Sequence, residues 1–161
     1  MAYESPDSRS VARIERITLW RAVLAGIVGG VVFGVPLQFL IERMGAIGAL
    51  YNGGDASVVI GWVAHLFHSA LFGVLLGLAT ETRPLRPTME RGHAHAALVG
   101  LGFGAVLYAT NIAFLWPFWL DTVGYAPAAG WTIPHTPARP LFGHVLYGVI
   151  AGTVFHHLVD Y

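Results

Sequence analysis

The sequence predicts an all-α polytopic membrane protein: four transmembrane helices in a bundle of two related helical hairpins. Three observations carry this. Four apolar, uncharged stretches dominate the chain, Ala22 to Ile41, Ala56 to Thr80, His95 to Leu120 and Leu141 to Val159. Each has about the 20 residues that a helix needs to cross a bilayer core. Each also carries small residues four apart, the spacing that keeps them on one helix face.

Composition agrees. Of 161 residues, 55% are hydrophobic and 11% charged, with a mean hydropathy of +0.62. Soluble domains carry about 25% charged residues. Formal net charge is zero, so no broad basic surface invites nucleic acid. The chain has no cysteine, which excludes disulfides, thiolate metal sites, iron–sulfur clusters and cysteine nucleophiles. It has no H-E-x-x-H pair, phosphate loop or Gly-x-Ser-x-Gly elbow, so hydrolysis and phosphoryl transfer are not expected.

Residues 1–21 read as a polar cytoplasmic N-terminal segment and residues 22–161 as the transmembrane domain. Ser5 to Ser10 is expected to be disordered, with an amphipathic lead-in through Arg21. No cleavable signal is evident, so the first span is expected to act as an uncleaved anchor.

The first helix carries the ladder Ala22, Gly26, Gly30 and Gly34, with Pro36 and Gln38 beyond it. Pro36 should free carbonyls one turn earlier. Glu42 is expected at the interface, or paired with a histidine if the helix turns it inward. The second helix carries Gly61, His65, Ser69, Gly73 and Gly77. The third carries Gly92, Ala96, Gly100 and Gly104, and the fourth Pro140, His144, Gly148, Gly152 and His156. Helices in lipid associate through close packing rather than hydrophobic drive, so these faces predict tight contacts without a wide pore.

Leu71 to Gly77 matches Leu146 to Gly152, and Gly30 to Gly34 matches Gly100 to Gly104. The pattern suggests a duplicated hairpin, with copies related about the membrane normal.

Arginine sets the expected topology. Arg9, Arg13, Arg16, Arg21, Arg83, Arg86 and Arg91 lie on one side, and only Arg43 and Arg139 on the other. The positive-inside rule then places both termini in the cytoplasm of a plasma-membrane protein. The turn at Asn52 to Asp55 and the loop from Pro117 to Arg139 are external on this reading. That loop holds Phe118, Trp119, Tyr125 and Trp131 among prolines. It reads as an interfacial aromatic belt, or as a lid or docking surface.

Eight histidines carry the chemical signal. His65, His68 and His144 are expected in the external half, with His135 above them. His93, His95, His156 and His157 form a cytoplasmic tier. The upper three are candidate cofactor-binding residues. Three readings compete: interhelical hydrogen bonds, bis-histidine ligation of haem b by His65 or His68 opposite His144, and a metal or proton site that draws in Glu42.

Trp62-Val63-Ala64-His65, Phe72-Gly73 and Gly143-His144-Val145-Leu146-Tyr147-Gly148 together resemble a family of small four-helix integral membrane proteins of unknown function found in archaea and bacteria. The resemblance implies the four-helix fold over about residues 20–160 and no activity. The function expected is a non-enzymatic accessory or complex subunit in the lipid bilayer. Its histidine face would work against a membrane-protein partner or a second copy. The alternatives are a haem b electron carrier and a small proton or metal transporter.

Overall fold

The computed structural model describes residues 7–82 and 84–159, with side chains from residue 19 onward. Seven α-helices organise the described residues: α1 (Asp7–Phe39), α2 (Met44–Ala49), α3 (Val58–Thr80), α4 (Arg86–Met89), α5 (His93–Leu107), α6 (Trp116–Thr122) and α7 (Ala138–Val159). A π-helical segment, Tyr108–Leu115, joins α5 to α6. Four segments are long and apolar enough to cross a membrane: Leu19–Phe39, Val58–Thr80, His93–Thr122 and Ala138–Val159. They match the apolar stretches to within a few residues, making this a multi-pass membrane protein.

The helix ends have local causes. Glu42 has φ of 57°, a left-handed conformation that ends the first span. It is exposed and bonds no histidine among the described residues, so the inward pairing does not occur. The Ser57 side chain caps α3 by accepting the Ile60 N–H at 3.3 Å. Gly92, with φ of 119°, precedes α5, where other residues would be strained. Residues Asp7 to Ser10 belong to α1, which corrects the expected disorder there, because the helix continues unbroken into the apolar span. Ser5 and Pro6 lie outside the described residues.

Close backbone contact builds two hairpins. In the first, a Cβ at Gly26 would collide with the backbone of Ser69 and Gly73. Gly30 lies against Ser69, Gly34 against the Trp62 ring, and Gly77 against Ala22. In the second, Gly100 and Gly148 each lie against the other's carbonyl, Gly104 against that of His144, and Gly152 against that of Ala96. All nine glycines expected in helix packing therefore sit at helix–helix contacts within this chain.

The repeat does not extend to the hairpin registers. Gly148 meets Gly100 and Gly104, which match Gly30 and Gly34 in sequence. Its counterpart Gly73 meets Gly26 and Ala22 instead, at least one turn away. The hairpins join through α1 and α7, which pack broadly, whereas α3 and α5 barely meet. Gly29 admits Tyr147, and Gly143 admits Phe33. Neither glycine belongs to the four-residue ladders, because α1 and α7 each need a second small face. Outward-facing Val59, Val63 and Phe67 on α3 remain for lipid.

Candidate functional site: a histidine-lined intramembrane cavity

The gap between α3 and the third span becomes a half-enclosed cavity of about 580 Å³ at the end opposite the termini. Phe33, Phe72, Leu107 and Tyr147 line its inner part. Its roof comes from Ile47 and Leu50 around α2 and from Trp116, Trp119 and Trp131. α6 and the loop after it thus fold over a cavity, while Phe118 remains outward and exposed.

A break in the third span opens this space. Over Tyr108–Leu115 the helix widens, and the Trp116 N–H reaches the Asn111 carbonyl five residues back. Pro117 follows and supplies no N–H, depriving carbonyls about one turn before it of a helical donor. One of these, on Ala113, accepts the backbone N–H of His135 at 2.9 Å. The Tyr108 hydroxyl donates to the Pro137 carbonyl at 3.0 Å, tying down the loop's other end. The half-buried Asn111 side chain lines the cavity and has no hydrogen-bond partner among the described residues. A lone Asn within an apolar run is the signal that sequence reasoning passed over.

All four histidines of the upper tier line this cavity. His65 Nε2 lies 2.9 Å from the Gly30 carbonyl, and His144 Nδ1 lies 2.8 Å from the Pro140 carbonyl. A carbonyl only accepts, so these nitrogens carry the protons in the neutral rings. The opposite nitrogens, His65 Nδ1 and His144 Nε2, are left as lone-pair acceptors. His68 Nε2 is 2.5 Å from the Tyr51 hydroxyl, which reaches in from the α2–α3 turn. Burial raises the Tyr51 phenol above its ordinary range, so it stays protonated.

Neighbouring hydroxyls satisfy backbone rather than histidine. Ser69 Oγ donates to the His65 carbonyl at 2.7 Å, and Tyr147 OH to the Ser69 carbonyl at 2.7 Å. No serine–imidazole pair is formed among the described residues. The Phe33 ring lies edge-on to both His65 and His144, at centroid distances of 5.5 and 5.3 Å. His65 and His68 thus have Nε2 engaged, and an aromatic ring occupies space beside His65 and His144. No group of three or more metal-ligating side chains forms among the described residues.

At the mouth stand Arg43, Arg139 and His135. Neither arginine has a carboxylate partner among the described residues. His135 stacks on Trp131, with ring centroids 4.3 Å apart. Its pKa is lowered from the ordinary histidine range, first by burial and then by the charge of Arg43. The second tier gathers at the other end, where His93 lies 4.6 Å from His156 and 6.1 Å from His157 between ring centroids.

Comparison with known proteins adds no neighbour: no family model, curated protein or solved structure matches this chain.

Proposed function

We propose that this chain is a non-enzymatic accessory membrane protein that holds an amphipathic molecule in its histidine-lined cavity. The observation that carries this reading is the cavity itself. It lies where a closed four-helix bundle would pack α3 on α5, and its volume falls within the about 300–1,000 Å³ of small-molecule sites. An apolar wall with few convergent polar groups is the lining expected for a ligand that is mostly hydrocarbon. With the termini cytoplasmic, as the arginines favour, the cavity lies in the outer half of the plasma membrane.

Haem b ligation is the less supported use of the site. His144 Nε2 is free among the described residues, but its partner ligand, His65 or His68, would have to give up the Nε2 bond to Gly30 or Tyr51, and the Phe33 ring beside His65 and His144 would have to move.

The test is photolabelling in vesicles with a long-chain alcohol bearing a mid-chain diazirine. Label is expected on the cavity residues Leu107 and Phe72, and excess unlabelled alcohol should compete it away. Outward-facing Val63 and Phe67 should label without saturation, as bilayer background. Labelling confined to outward faces, or insensitive to competitor at Leu107 and Phe72, would sink the reading.

A further inference from the structure

The cavity mouth has a one-sided charge. Among the described residues, Arg43 and Arg139 are the only arginines at this end of the molecule, and both line the cavity. They come from different connections, one before α2 and one at the start of α7. His135 stands with them. The acidic residues of the same end, Glu42, Asp55 and Asp121, all lie outside the lining. Guanidinium groups bind planar oxyanions through paired N–H donors, and they do so most strongly where water is partly excluded.

We infer that the molecule held is a single-chain carboxylate amphiphile, a long-chain fatty acid whose head group binds Arg43 and Arg139 and whose chain fills the cavity below. This rests on the cavity being a ligand site, as proposed above. A cavity of about 580 Å³ admits a long hydrocarbon chain with its head group. The wall below the arginines is mostly hydrocarbon and aromatic, from Ile112 and Leu115 down to Leu107 and Phe72, with His65, His68, His144 and Asn111 among its polar groups. A carboxylate at the mouth would thus meet the cations while its chain meets the apolar wall.

The decisive experiment compares competitors against the same diazirine alcohol, at a pH where the acid is ionised. Unlabelled fatty acid should displace the probe from Leu107 at about one-tenth the concentration that the matching alcohol needs. The preference should vanish in the double variant Arg43→Gln/Arg139→Gln. Both arginines are exposed, so the variant should retain its helical circular dichroism. It also strengthens the arginine asymmetry between the two sides, so orientation is kept. Equal displacement by acid and alcohol would overturn the carboxylate assignment while leaving the cavity a ligand site. Stronger displacement by an anionic phospholipid would overturn it in favour of a two-chain lipid. Absence of any saturable labelling would remove both the assignment and the reading beneath it.

Discussion

The backbone N–H of His135 donates to the carbonyl of Ala113, 2.9 Å away, and fastens the aromatic loop to the third span. The acceptor lies one turn before Pro117, where the missing proline N–H leaves the helix short of a donor. A loop can dock at membrane depth only where its polar backbone finds such partners.

Replacing Pro117 with Ala restores a helical donor that competes for this part of the π-helical segment. The expected outcome is a looser loop. Loss of one hydrogen bond of about 1 kcal/mol should speed amide exchange at His135 roughly fivefold. Exchange measured by mass spectrometry in detergent checks this, and unchanged protection would show that Pro117 does not hold the docking site open.

Glycines in this fold should differ sharply in their tolerance of a methyl group. Gly148→Ala places a Cβ against the Gly100 carbonyl and should cost about 1–3 kcal/mol, because neither backbone can retreat. Gly102→Ala meets nothing within 4 Å and should be neutral or stabilising by up to about 1 kcal/mol through helix propensity. Denaturant unfolding of the two variants side by side distinguishes them. Equal stabilities would refute the contact-based packing of α5 on α7.

The loop histidine should titrate in the direction its surroundings dictate. Burial and Arg43 both lower the pKa of His135, so NMR should place its midpoint below that of an ordinary histidine. Arg43→Gln should raise the midpoint only in part, since burial is the larger cause. The unfolded chain then binds this proton more readily than the folded one. Its contribution is fully present above the unfolded pKa of about 6.5 and is lost as pH falls toward the lowered folded value. A midpoint at or above the ordinary value would contradict the placement of His135 beside Arg43.

A reduced-minus-oxidised spectrum should show no bis-imidazole haem signature in protein expressed with haem supplied. His65 Nε2 and His68 Nε2 are already bonded. Sharp α and β bands that disappear in His144→Ala would reverse this expectation and return the site to the haem reading.

The four spans were legible because length and hydropathy are local properties, and lipid demands a continuous apolar run of set length. The nine small-residue positions were legible too, because a spacing of four keeps residues on one face whatever that face meets. The division of the histidines into two tiers followed from depth alone: His65, His68, His135 and His144 share the cavity, whereas His93, His156 and His157 gather at the other end.

Partner choice was not legible. Sequence spacing places Gly29 and Gly143 on α1 and α7 but does not say that they admit Tyr147 and Phe33. Nor does it reveal that α3 and α5 stand apart, that Phe33 lies against both His65 and His144, or which imidazole nitrogens are spent on carbonyls. Those facts depend on the angle and register at which hairpins meet, set by packing between residues far apart in the chain. The sequence by itself determined the solvent, the spans and the small faces. Tertiary structure decided that two of those spans do not close on each other, and so that a cavity exists.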